Sequence, residues 1–212
     1  MTAEAPTPTA RPGLRELKRR RTREAIQAEA VRLFAQQGYE ATTCEEIAAA
    51  AGVSPATFFR YFPTKEDVVL TDDYDALLVE LLRSRPPDES PLRAVRRAMA
   101  AGLATIPPAG EGTLRRRAQL IFAVPALRAR LYEQQRAQHD LLAAELAPRL
   151  GAGPDDLRVR VVAAALTAVL VLAVEDWAGD GGSLAARIDA ALAALEQELA
   201  PAPAPGADLK SR

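Results

Sequence analysis

With 212 residues and 49% hydrophobic content, the chain can bury a substantial core, either as one large domain or as a small domain joined to a larger one. A formal net charge of −1 gives no overall basic coat, and the single cysteine, Cys44, excludes an intrachain disulfide and a Cys-based metal cluster, in keeping with a reducing cytoplasm. His139 is the one histidine, and there is no Gly-rich phosphate loop or nucleophile motif, so the sequence points to no enzyme, no cofactor and no metal.

Residues 1–12, with Pro, Thr and Ala, and residues 201–212, with Pro and Ala, have little to bury and read as flexible tails. The start has no charged segment ahead of an apolar stretch, so it does not read as a secretory signal. Charge is instead local. Between Arg11 and Arg23 stand seven Lys/Arg and one Glu, an excess of six positive charges on a neutral protein. Ile26, Ala30, Leu33 and Phe34 then recur with the period of an amphipathic helix that Gly38 stops. Thr43 followed by Glu46 is a capping-box pattern opening a short second helix with Ile47, Ala48 and Ala51, ended by Gly52. Ser54 caps a third, with Pro55 at its first position, where the missing N–H is harmless. Thr64 with Asp67 starts a fourth, expected to run on toward Arg83.

Two short helices joined by the tight turn Ala51-Gly52-Val53, behind a longer supporting helix, form a helix-turn-helix. Four of the ten aromatic residues of the chain fall within its third helix, at Phe58, Phe59, Tyr61 and Phe62. Ser54, Phe58 and Phe62 share one face, so the two phenylalanines can anchor the helix in a small core. Ala56 and Arg60 lie on another face, free to enter a major groove, where Arg can bond guanine and Thr57 can meet a thymine methyl group or a phosphate. Tyr61 flanks that face with a hydroxyl suited to phosphate. Lys65 sits in the first turn of the fourth helix, near backbone N–H groups that favour an anion. The basic run containing Arg20 and Arg21 opposes the dipole of the first helix at its N-terminal end, a cost that a polyanionic partner would offset.

The stretches REAIQAEAVRLFAQQGYEATTCEEIAAAAGVS and PATFFRYFPTKEDV resemble the DNA-binding domain of the TetR family of bacterial repressors, over about Lys18 to Val69. The resemblance implies two identical subunits, a recognition helix from each in successive major grooves, and a C-terminal domain that dimerises and binds a small molecule. Carried over by position, it implies that Thr43 contacts phosphate, that Pro55, Ala56, Thr57 and Arg60 face the bases behind the Ser54 cap, and that Phe59, Tyr61 and Lys65 line the DNA backbone. The family commonly has tyrosine where this chain has Phe59, so one phosphate-bonding hydroxyl is missing.

Further along, Ser90-Pro91 opens a helix closed by Pro107 and Pro108, another spans about residues 112–123 before Pro125, and a long helix follows to about Leu150. Then come a helix over about residues 155–177, nearly all apolar in its second half, and one over about residues 183–199, with Ile188, Leu192, Leu195 and Leu199 on one stripe. A helix apolar all round must be covered on every side. Pairing these two with the same two of a second copy gives a four-helix bundle, which is also where the resemblance places the dimer interface. The longest apolar run, residues 161–174, falls short of the roughly 18 residues of a membrane span, so no membrane partner is expected. Met99, Leu103, Ile106, Leu120, Phe122, Tyr132, His139 and Leu166 are the candidates for a mostly apolar ligand pocket among these helices.

The expectation is therefore an all-α chain: a helix-turn-helix domain over residues 13–63 and a helical regulatory and dimerisation domain over residues 64–200. Its function would be that of a cytoplasmic one-component transcriptional regulator, a repressor binding an inverted-repeat operator as a homodimer and released by an apolar small molecule. An activator of the same fold, or an architectural DNA-binding protein without ligand control, stays open at this stage.

Overall fold

The structure, a computed structural model, describes residues 14–71 and 74–199, and every regular element among the described residues is a helix. The expected tails therefore lie outside the described residues. The chain divides into two compact units, Met1–Thr71 and Asp72–Arg212.

In the first unit, helix α1 spans Leu14–Gln37 and buries Ile26, Ala30 and Phe34 along one stripe. It stops at Gly38, whose φ of 87° is a left-handed conformation natural to glycine, and Tyr39 folds back until its ring centroid is 5.1 Å from that of Phe34. Helix α2, Cys44–Ala50, starts with the reciprocal capping box between Thr43 and Glu46 that the sequence predicts. The turn after it is closed by the Val53 N–H donating to the Ala48 carbonyl at 2.9 Å, with Gly52 at φ 67°. Helix α3, Pro55–Tyr61, is capped by Ser54, and Phe58 and Phe62 are both 0% exposed.

Helix α4, Lys65–Leu70, carries the expected Thr64/Asp67 capping box and buries Val68 and Val69. It does not run on toward Arg83. It ends at Thr71, whose backbone is extended, and α5 begins afresh at Tyr74 and ends at Arg83. Thr71-Asp72-Asp73 are three weak helix formers in a row, and tertiary bonding favours the stop: the Gln27 side-chain amide donates to the carbonyls of Val68 at 3.3 Å and Thr71 at 2.6 Å, tying the end of α4 to α1. Packing thus places α4 in the first unit, whereas the sequence reading divided the chain at residues 63 and 64.

The second unit holds α5 and five longer helices: α6, Pro91–Leu103; α7, Pro108–Ala123; α8, Pro125–Leu150; α9, Leu157–Asp180; and α10, Leu184–Leu199. Prolines open three of them, as expected from the harmless first-turn position. Helix α7 starts four residues earlier than the sequence suggests, because Pro107-Pro108 opens it instead of merely closing α6. Helix α9 lies at the centre of the unit, packing on α7, α8 and α10 through Val159, Ala163, Leu166, Ala173 and Trp177. It is 24 residues long, with a mean hydropathy of 2.2 over its most apolar window, enough by length and composition to cross a membrane. Among the described residues only one side of it is covered: Leu157, Val161 and Leu172 are 72%, 56% and 55% exposed.

Charged groups pin the outer helices. Arg149 near the end of α8 donates to the carbonyls of Leu82, in the last turn of α5, and of Arg85 and Pro86 after it. Arg96 on α6 grips Asp189 and Glu196 on α10, and Arg83 on α5 holds Glu145 on α8.

Candidate nucleic-acid interface and inner cavity

The recognition-helix face and the basic arm meet. A surface groove in the first unit is lined by Arg15, Lys18, Arg19 and Thr22 from α1 and by Val53, Thr57, Arg60 and Tyr61 from the turn and α3. Residues 15, 18, 19 and 22 follow helical spacing, so one face of α1 points three cations at the helix-turn-helix. The Arg60 guanidinium lies 5.6 Å from the Tyr61 ring centroid, an arrangement that preorganises the long side chain beside the helix.

The predicted contact residues divide by what they already do. Pro55, Ala56, Phe59 and Arg60 are exposed on α3, and the ring of Phe59, at 44% exposure, meets that of Phe58 in a T-shaped contact with centroids 5.3 Å apart. Ser54 and Thr43 serve first as caps. The Ser54 hydroxyl accepts from the Thr57 N–H at 3.1 Å and donates to the Thr57 hydroxyl at 3.0 Å, while Glu46 accepts from the Thr43 N–H at 2.8 Å and from its hydroxyl at 3.1 Å. The Thr43 amide bond holds the Glu46 carboxyl below its usual value. Arg20 and Arg21 are exposed outside the groove, and Arg20 pairs with Glu24 at 3.5 Å. The sequence reading took the basic run as a whole for a polyanion contact and named Arg20 and Arg21 within it; the 3.6-residue period applied to that run separates Arg15, Lys18 and Arg19 as the face that lines the groove.

Lys65 is turned inward. Its ammonium donates to the carbonyls of Tyr39 at 2.9 Å and Thr42 at 3.2 Å and lies 4.2 Å from the Tyr39 ring centroid. The adjacent Glu66 accepts from the Tyr39 hydroxyl at 2.7 Å, which holds its carboxyl low, while burial and this carboxylate push the Tyr39 phenol up.

The second unit contains a half-open apolar cavity of about 220 Å³ between α5, α6, α7, α9 and α10. Met99, Leu103 and Ile106, three of the predicted pocket residues, line it, together with Leu77, Leu81, Gly102, Arg117, Ile121, Trp177 and Ile188 among others. The remaining candidates lie elsewhere. Leu166 is core, Phe122 packs against the core, and Leu120 is half-buried outside the cavity wall. Tyr132 and His139 line a separate polar cleft on α8 and α9 with Arg136, Asp140 and Arg160. The sequence missed α5, α10 and Trp177 as wall elements, because which face of a helix meets a cavity is set by tertiary packing and not by local periodicity.

Residues 26–71 match the family model described as bacterial regulatory proteins, tetR family, and residues 89–200 match the one described as the MftR C-terminal domain. The chain is 36% identical to the HTH-type transcriptional regulator TcmR of Streptomyces glaucescens, over 93% of this chain and 95% of that protein. It is 27% identical to the putative mycofactocin biosynthesis transcriptional regulator MftR of Mycobacterium tuberculosis, over 77% of this chain and 83% of that one. Among solved structures it is similar to Thermus thermophilus FadR, a TetR family transcriptional repressor in complex with lauroyl-CoA, with 28% identity, a TM-score of 0.53, and coverage of 87% of this chain and 98% of that one.

Proposed function

The chain belongs to the TetR family of bacterial transcriptional regulators, and from that premise we propose that it is a cytoplasmic, dimeric repressor that binds an inverted-repeat operator and is released by an apolar small molecule. The observation that carries this reading is the groove joining Thr57, Arg60 and Tyr61 of the recognition helix to Arg15, Lys18 and Arg19 of α1. In it the exposed face of α3 reads base edges through Arg60 and Thr57, while the α1 cations and Tyr61 take the phosphates on either side. Phe59, exposed without a polar group, makes apolar contact with the sugar-phosphate edge.

The second copy is supported by the exposed apolar side of α9. Leu157, Val161 and Leu172 would be covered by the same residues of a partner, with α10 completing a four-helix bundle, and a two-fold axis through it calls for a two-fold operator. Effector control is supported by the apolar cavity and by the lauroyl-CoA complex of the similar FadR. Binding of an Arg60→Ala variant to its selected duplex and to a shuffled one tests the reading. The substitution costs about 1–3 kcal/mol on the selected site and little on the shuffled one. Equal losses on both would reduce Arg60 to a phosphate contact.

A further inference from the structure

Two arginines of the second unit converge on one cleft. Tyr132, Gln135, Arg136, His139 and Asp140 from α8, with Arg160 and Ala164 from α9, line a surface cleft of about 350 Å³. Around it the arginines are engaged: Arg83, Arg96 and Arg128 with carboxylates of neighbouring helices, and Arg115, Arg149 and Arg158 with carbonyls at helix ends. Arg136 and Arg160 have no ion pair and no side-chain hydrogen bond among the described residues, although Asp140 stands in the same cleft. Two like charges in one cleft repel, and a bound anion would remove that cost. The cleft flanks the exposed apolar side of α9 instead of lying in it, since Arg160 precedes Val161 by one residue and so points about 100° away from it round the helix.

We propose that this cleft binds a phosphate monoester of a hydroxylated molecule, a sugar phosphate or a nucleotide, at a site separate from the apolar cavity. A phosphate monoester carries close to two negative charges at neutral pH, which matches Arg136 and Arg160, and its oxygens accept from the planar forks of both. The half-buried His139 offers a ring N–H to the same group. Asp140 repels a bare anion but accepts from a hydroxyl, and the Gln135 amide both donates and accepts, so these two suit the carrier of the phosphate. The Tyr132 ring, 46% exposed, gives that carrier a flat apolar surface, and the small side chain of Ala164 leaves room beside it. Held between Arg136 on α8 and Arg160 on α9, the phosphate ties the two helices together.

Calorimetric titration of the full-length protein with AMP, ribose 5-phosphate, adenosine and inorganic phosphate, all at one low ionic strength, tests the assignment. AMP or ribose 5-phosphate binds about tenfold or more tighter than inorganic phosphate, and adenosine does not bind. The tighter of the two esters distinguishes nucleotide from sugar phosphate. Arg136→Met and Arg160→Met each weaken the ester about tenfold or more, Arg160→Lys keeps part of the affinity, and Asp140→Asn narrows the gap between ester and inorganic phosphate. These side chains are exposed, so the unfolding midpoints of the variants stay near that of the parent and establish that each is folded. Ester binding that survives the combined Arg136→Met and Arg160→Met substitutions overturns the proposal and moves the anion to another basic surface, such as the groove of Arg15, Lys18 and Arg19. Inorganic phosphate as tight as both esters overturns the hydroxylated carrier, and adenosine as tight as AMP overturns the role of the phosphate. No binding by any probe overturns the site. A fall in oligomeric state on either Arg→Met substitution, read by sedimentation velocity, overturns it in favour of a contact with a second copy.

Discussion

The ammonium of Lys65 stands 4.2 Å from the centroid of the Tyr39 ring and donates to the carbonyl of the same residue at 2.9 Å. With a second bond to the Thr42 carbonyl at 3.2 Å, it ties the start of α4 to the loop between α1 and α2. Lys65→Ala therefore lowers the stability of the first unit by about 1–2 kcal/mol, because it takes a charged donor from two carbonyls, of which that of Tyr39 keeps the Thr42 N–H at 3.4 Å, and removes the cation–π attraction. Urea unfolding followed by circular dichroism reads the change. Unchanged unfolding with a weakened salt dependence of DNA binding would mean that Lys65 serves phosphate instead.

The α1 cations differ in where they point. Replacing Arg15, Lys18 and Arg19 with alanine reduces the slope of log affinity against log salt by about 0.9 for each phosphate no longer neutralised. Replacing Arg20 and Arg21 changes it far less, since both lie outside the groove and Arg20 already has Glu24. Titrations of one duplex across a range of salt concentrations give both slopes. A larger effect from the second pair would move the phosphate track away from the groove.

The Tyr39–Glu66 hydrogen bond sets a two-sided pH dependence. Glu66 has its carboxyl held below 4.5 by the Tyr39 hydroxyl, so its contribution to stability is present above that value and is lost as pH falls through the lower, folded one. Tyr39 is shifted upward from 10.0, first by burial and then by Glu66, so the unfolded chain loses the phenol proton earlier and stability declines above pH 10. Glu46, Glu89 and Asp189 are also held low, by the Thr43 amide, Arg85 and Arg96 in turn, so they share the acid limb. Glu66→Gln accordingly flattens the fall of the unfolding midpoint below pH 4.5 without removing it, as thermal melts across the acid range would record. An unaltered acid limb would mean that the hydrogen bond contributes nothing to folding.

Local signals carried most of the fold. Caps at Thr43, Ser54 and Thr64 and stops at Gly38 and Gly52 are written in adjacent residues, and they place α2, α3 and α4 in register. Phe58 and Phe62 were readable as core from their spacing alone. The break at Thr71 was not, because the Gln27 amide that favours it lies 44 residues away in sequence. Lys65 illustrates the same limit at the site: its position beside a helix start suits an anion, and only the folded loop brings the Tyr39 and Thr42 carbonyls into its reach. For the cavity, Met99, Leu103 and Ile106 were named among eight apolar candidates from several helices, whereas Trp177 and Ile188 arrive from helices whose faces are fixed only by tertiary packing.

Selection of bound fragments from a random duplex library by the full-length protein tests the central claim most directly. Two recognition helices related by the α9 and α10 bundle predict an enriched inverted repeat whose half-sites contain a guanine within reach of Arg60, with half-site centres one helical turn or a multiple of it apart. A single asymmetric motif, or enrichment no better than shuffled sequence, would contradict the account of a dimeric, sequence-reading regulator.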